Sequence, residues 1–333
     1  MPTILNGANH MQAVLYTGTG ATLTITGLKF QPDLVWIKSR SGATDHKLTD
    51  SVRGVTKALV SNSTAAETTD STGITAFTSD GFTLGANSTY NTNGATYVAW
   101  CWKANGTAVT NNAGSITSQV SANTTAGFSV VTYTGTGANA TVGHGLGVAP
   151  SMIIVKNRSV VENWPVYHTS LTANGRILLN TTGAYAASSA QWNNTTPTSS
   201  VFTVNTDTGV NGSGNSLVAY CFAAIPGFSA FGSYVGNGSS DGPFVFTNFK
   251  PRFVMVKCSS AVSDWTIVDT SRSPYNLSTA TLFPNSSAAE GTGFQIDVLS
   301  NGFKLRATGV NTSSATYIYA AFAESPFTNA LAR

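Results

Sequence analysis

The chain has 333 residues, 17 Lys and Arg against 14 Asp and Glu, and a net charge of +3, with only 9% of residues charged against roughly a quarter in ordinary domains. Basic residues this few and this scattered form no stripe and exclude an electrostatic grip on nucleic acid. A hydrophobic share of 41% excludes a disordered chain, and no apolar run approaches the ~20 residues of a membrane-spanning helix.

The first residues, MPTILNGANHMQ, carry neither a basic start nor an apolar core, so no secretory leader is expected. Then comes LYTGTG, residues 15–20, which returns as TYTGTG at 132–137 and SYVGNG at 233–238; its tyrosines Tyr16, Tyr133 and Tyr234 are spaced by 117 and 101. A Pro followed by an unbroken apolar strand ending in Lys comes next, as QPDLVWIK, APSMIIVK and KPRFVMVK. Its prolines Pro32, Pro150 and Pro251 and its lysines Lys38, Lys156 and Lys257 both recur at 118 and 101. Proline is tolerated at the start of a strand, and four consecutive apolar residues predict a strand covered on both faces.

SDGFTL at 79–84 and SNGFKL at 300–305 predict hairpins turning at Asp80-Gly81 and Asn301-Gly302. Copy two has SSVFTV there, keeping Phe202 but losing the glycine. Each copy closes on a terminal strand, TYVAWCW, SLVAYCF and TYIYAAF, whose last aromatics Trp102, Phe222 and Phe322 recur at 120 and 100. Three landmarks in one register make a tandem repeat, of a size that suits a β-sandwich or jelly roll. A β-helix would need a rung period of roughly 20–30 residues, and none is present.

The expected fold class is therefore all-β, with three tandem β-sandwich (jelly-roll-like) modules. Module one spans residues 1–104, an extended linker 105–126, module two 127–226 and module three 227–333. Residues 104–126 read either as a flexible linker or as an added strand, with ordered, extended structure expected. Copies two and three meet at Ile225-Pro226-Gly227 and are expected to pack closely, with copy one set apart.

Catalytic chemistry finds little support. Four histidines and 14 carboxylates are spread thinly. The densest group, DHKLTD at 45–50, places Asp45 and His46 side by side, and neighbours on a strand point to opposite faces. It aligns with ENWPVYH at 162–168 and SDWTIVD at 263–269, where Trp164 and Trp265 replace His46. No titratable group is read at one aligned position in all three of these segments, so no catalytic residue and no enzyme activity is expected. No metal-ligand spacing occurs; Asp80 and Asp241 are the weak candidates for a loop-held cation. GHGLGVAP at 143–150 lacks the Lys-Ser/Thr and helix of a phosphate loop and reads as a turn, so no cofactor is expected. Cys101 and Cys221 share one repeat position, and with Cys258 all three are expected free and buried, as suits folding in a reducing cytoplasm. The Asn-x-Ser/Thr triplets, as at Asn62, Asn123 and Asn285, follow from composition.

The aromatic residues Trp164, Tyr167, Trp192 and Trp265 lie in polar, loop-like sequence. They read either as core residues, favoured for Trp164 and Trp265 by their register, or as exposed rings that stack on sugar faces.

The motifs FQPDLVWIKSR, DSVRG, SDGFTLG and NGATYVAWCWKANG in copy one, with ITSQVSANTTAGFSVVTYTGTGANATVGHGLGVAPSMIIVKNRS and LVAYCFAAIPGFSAFGSYVGNGSSDGPFVFTNFKPRFVMVK beyond, resemble a repeat-domain family of unknown function in bacteriophage tail-fibre-like virion proteins, especially of marine phages. The resemblance implies a phage virion structural protein. The expected role is a non-enzymatic tail or head fibre component, made in the host cytoplasm, whose loop ends, aromatics and amide side chains contribute to recognition of host-surface glycans. Expected with it are assembly as a homo-oligomer, a trimer by analogy with fibres, and contact with other virion proteins; a capsid decoration protein without a ligand is the alternative.

Overall fold

The computed structural model describes residues 4–325. Nearly all regular structure is β, in antiparallel sheets, and the helical pieces are single turns of three or four residues.

Three main sheets repeat one strand order. In copy one Met11–Thr17 pairs with the terminal strand Thr96–Trp102, which pairs with the apolar strand Leu34–Ser39, followed by Lys47–Asp50. In copy two the order is Phe128–Thr134, Ser216–Phe222, Met152–Asn157 and Pro165–His168. In copy three it is Ser229–Val235, Thr316–Ser325, Lys250–Cys258 and Trp265–Asp269. Register is kept as well: Leu34 faces Trp102, Met152 faces Phe222, and Phe253 faces Phe322. A smaller sheet covers one face of each main sheet, formed around Gly81–Leu84, Val201–Val204 and Gly302–Leu305.

The continuous apolar strands have both faces covered because alternate residues enter different cores. Val35, Ile37, Ala99 and Cys101 point into copy one's own sandwich, and Ile153, Val155, Ala219 and Cys221 into copy two's. Their alternates Leu34, Trp36, Trp100, Met152, Ile154 and Tyr220 join Phe253 and Met255 in one core common to all three copies. At its centre Trp102, Phe222 and Phe322 form a triangle, with ring centroids 6.0, 5.9 and 5.8 Å apart and each pair edge to face. Beside them lies an apolar void of about 20 Å³ lined from all three copies. The chain is thus built around an internal pseudo-threefold axis.

Copy one is not set apart, since its rings occupy this axis alongside those of the other two. Within 105–126, Val109–Asn111 and Ser118–Asn123 form a hairpin whose second strand pairs with Phe128–Thr134. That segment extends copy two's sheet. The cysteines are free and buried.

Two local findings explain landmark glycines. A Cβ at Gly18, Gly135 or Gly236 would sit 2.2–2.3 Å from the carbonyl of Thr92, Gly212 or Thr312, so the turn after each repeated Tyr packs directly on backbone. In the predicted hairpins the turn is one residue earlier than expected: Thr78 pairs with Gly81 and Leu299 with Gly302, which leaves Ser79-Asp80 and Ser300-Asn301 as the loops. Gly81 and Gly302 lie within the strand because a Cβ there would collide with the carbonyl of Ile25 or Val245 on the neighbouring strand. In copy two, Val201 takes that place and its partner across the pair is Gly143. The glycine has moved to the opposite strand.

Candidate functional site

Each repeat closes on the next through equivalent contacts. Tyr220 of copy two donates to Asp50 of copy one (2.8 Å), and Trp100 of copy one donates through Nε1 to Asp269 of copy three (2.9 Å). His168 of copy two completes the ring, with Nε2 3.1 Å from the Tyr319 carbonyl of copy three. Its Nδ1 accepts from the Ser170 amide, which fixes the neutral tautomer with the proton on Nε2. Backbone bonds repeat the pattern: the amides of Glu67, Tyr185 and Glu290 donate to the carbonyls of Arg158, Ser259 and Arg40 at 3.0, 2.8 and 2.9 Å.

Two of the three seams are ionic. Arg53 binds Asp50 and Glu67, and Glu67 also takes Arg158 from copy two in a two-pronged pair. Arg272 binds Asp269 and Glu290, and Glu290 takes Arg40 from copy one in the same way. Burial works against the Arg53 charge, yet Asp50, Tyr220 and Glu67 together raise its pKa above the ordinary value. At the seam between copies two and three, His168, Leu171 and Tyr185 occupy the corresponding places. That seam carries no ion pair of this kind among the described residues, although copies two and three adjoin in sequence.

Two of the three repeated lysines reach across the same seams. The Lys156 ammonium donates to the carbonyls of Glu162 and, across the seam, Thr64; Lys257 donates to those of Ser263, Cys258 and, across the seam, Thr182. Lys38 donates to Ser39 and Gly42. Burial lowers the pKa of each of the three to about 8.

The four aromatic candidates are all inside the protein. Trp164 Nε1 donates to the Val60 and Ser63 carbonyls of copy one, and Trp265 Nε1 to Leu178 of copy two, so both tie a copy to its neighbour. Tyr167 and Trp192 meet edge to face at 6.0 Å beside copy two's own core. With exposures of 0, 5, 2 and 2% for Trp164, Tyr167, Trp192 and Trp265, none offers a face to a sugar, and the expectation of exposed rings is corrected. His46, at the position of the two tryptophans, is buried and accepts from Trp36 Nε1. Asp241 is an exposed partner of Lys304 and Arg306, and no cluster of three or more potential metal ligands occurs among the described residues.

Reading the sequence missed one column. Asp50, His168 and Asp269 end the fourth strand of each main sheet, so a titratable group does stand at one aligned position in all three copies. The signal lay in the last letters of DHKLTD, ENWPVYH and SDWTIVD, concealed by a change of residue type. All three are buried and occupied by seam contacts. Asn91, Asn211 and Asn311 were missed too, although they keep the 120 and 100 spacing of the terminal strand. Each is fully buried, and its Oδ1 accepts the amide of Thr19, Thr136 or Asn237 in the turn after the repeated Tyr.

An open site lies on copy three instead. A groove of about 790 Å³ is bordered by the loop after Trp265–Asp269 and by the hairpin at Ser300-Asn301. In copies one and two, Leu48 pairs with Leu59 and Val166 with Ile177, 11 residues apart in each case. In copy three the equivalent pair, Ile267 and Leu282, is 15 apart. The longer loop carries Tyr275, which is 83% exposed.

The profile of a family described as a domain of unknown function (DUF7483) matches residues 6–326, and the chain belongs to that family. The match runs through all three copies as one unit. No curated protein matches the chain.

Proposed function

We propose that this member of the family is a non-enzymatic structural protein of a bacteriophage virion, a tail or head fibre component that contributes to recognition of host-surface glycans. The observation that carries the reading is the closed threefold ring. The conspicuous buried acids and bases (Asp50, Arg53, His168, Asp269 and Arg272) are engaged in joining one copy to the next, which is how a durable architectural part uses its charges. The motif resemblance to tail-fibre-like proteins supports the same reading. The symmetry that a trimer of chains would supply is present within one chain, so we take the single chain as the unit that occupies a threefold position, with other virion proteins as its neighbours. The reading places the protein on the particle after folding in the host cytoplasm.

Antibody labelling of intact particles tests this. Label at the tail or at discrete head fibres is the expected result. A regular label over the capsid lattice would replace the fibre reading with a decoration protein, and unlabelled particles would remove the virion reading altogether. Release of oligosaccharides from host capsule by the purified chain would refute the absence of enzymatic activity.

A further inference from the structure

The three copies share their strand order and turns, so a loop that is longer in one of them serves something other than the common scaffold. The loop bordering the groove on copy three is such a feature. Its extra loop length brings in residues 274–277, Pro-Tyr-Asn-Leu, and the side chains of the loop are braced. The Asn276 amide makes both bonds that a neighbouring strand would make, accepting from the Val298 amide at 2.8 Å and donating to the Val298 carbonyl at 3.0 Å. Ser273 Oγ accepts the amides of Thr279 and Ala280 at 3.3 and 3.1 Å. Tyr275 is therefore held outward on an anchored loop and is not a loose tip.

Exposed aromatics have the same uneven distribution. Among the described residues, Phe244, Phe246 and Tyr275 are the aromatic side chains on the exposed surface, and all belong to copy three. The remainder of the groove is mixed and nearly uncharged: Thr270, Ser273, Ser300 and Asn301 supply hydroxyl and amide groups, Pro274, Val298 and Leu299 supply apolar surface, and Lys250 is the single charged residue of the lining. A volume of about 790 Å³ falls within the range of ligand clefts, about 300–1,000 Å³.

We propose that this groove on copy three binds a neutral saccharide, with the face of one sugar ring on Tyr275 and its hydroxyls bonded along the Ser/Thr/Asn lining. The chemistry selects this class. The apolar face of a pyranose suits an aromatic platform, and its hydroxyls both donate and accept, matching side chains that do the same. A nucleic acid or a polyanion would need several cations where the groove has one. The braced loop keeps the ring in place before binding, which reduces the ordering cost of a weak, polar interaction. The inference rests on the recognition role proposed above and assigns it to one of the three copies.

The test is a glycan array followed by titration of the best neutral oligosaccharide against the full chain and its Tyr275→Ala and Tyr275→Phe variants. The wild type is expected to bind. Tyr275→Ala is expected to weaken binding about tenfold or more, while Tyr275→Phe stays within about twofold, because the platform is the ring and not the hydroxyl. Unchanged melting temperatures would exclude a folding defect, as expected for so exposed a side chain. Equal binding by wild type and Tyr275→Ala would overturn this site and leave glycan recognition standing elsewhere on the protein. Binding confined to acidic glycans and abolished by Lys250→Met would overturn the neutral class. Absence of any binding by the wild type would overturn both this assignment and the recognition role.

Discussion

Replacing Phe222 with Ala tests whether the three repeats are one cooperative body. The ring stacks on Phe128 at 4.9 Å and meets Trp102 and Phe322 edge to face at the axis, with only 3% of the residue exposed. Truncating a buried Phe to Ala costs about 3–5 kcal/mol, the upper part of that range applying where the hole cannot collapse. Here the hole would open beside a void that the three sheets already leave unfilled. With an unfolding entropy of about 2.1 cal/mol/K per residue, a chain of this length loses about 1.4 °C of melting temperature per kcal/mol, so a fall of about 4–7 °C is expected. Scanning calorimetry should show a single transition displaced as a whole, with van't Hoff and calorimetric enthalpies in agreement. Three separable sandwiches would instead give a van't Hoff enthalpy of about one third of the calorimetric value. Movement of only one component of the melt in Phe222→Ala would refute the shared core.

Acid should weaken the fold before most carboxylates titrate. All four histidines have lowered pKa values, with burial the leading cause, and that of His168 falls to about 4. The unfolded chain takes up these protons near pH 6.5 and the folded chain resists, so their stabilisation is complete above pH 6.5 and declines as pH falls below it, that of His168 being lost as pH falls towards 4. His168 alone accounts for up to about 3 kcal/mol; urea midpoints should fall between pH 7.5 and 4.5, less steeply in His168→Gln, and equal midpoints for the wild type would contradict this. Arg53→Met leaves the Asp50 carboxylate fully buried without its cation and should cost about 3–5 kcal/mol. Adding Asp50→Asn should recover at least half of the loss in denaturant titrations, and a loss below about 1 kcal/mol for the single change would argue against a charged seam. Light scattering of the purified protein should return the mass of one chain, 34.5 kDa, whereas three times that mass would mean that the internal threefold does not replace assembly.

Much of the repeat was legible in the sequence, because strand starts, strand ends and tight turns depend on particular residues. Pro at the head of the apolar strand, Lys at its tail and the glycines after Tyr16, Tyr133 and Tyr234 each answer to a local steric or solvation demand. The shared axis was not legible, for a physical reason. QPDLVWIK, APSMIIVK and KPRFVMVK state that two faces are covered, but Val35 and Trp36 look alike to the pattern although one faces its own sandwich and the other faces two foreign copies. The same ambiguity affected Trp164 and Trp265: a tryptophan in polar sequence can serve a sugar or a seam, and only the carbonyls of Val60, Ser63 and Leu178 decide. The seam acids were hidden because the constant feature is a buried hydrogen-bonding position, met by carboxylate in two copies and by imidazole in the third. The groove on copy three appears in sequence only as extra loop length, whose surroundings depend on the Ser300-Asn301 hairpin in a distant part of the chain.

The internal threefold also sets valency. Three identical chains around an axis would present any pocket three times, and weak sites could then reinforce one another through effective concentration. A chain that supplies all three positions itself can give one face a loop that the other two lack, and so offers one groove for each threefold unit. Tight attachment through such a groove would depend on how many of these chains a surface displays and how far apart they stand. If the groove on copy three is the sugar site proposed above, a single molecule carries that loop once among its described residues.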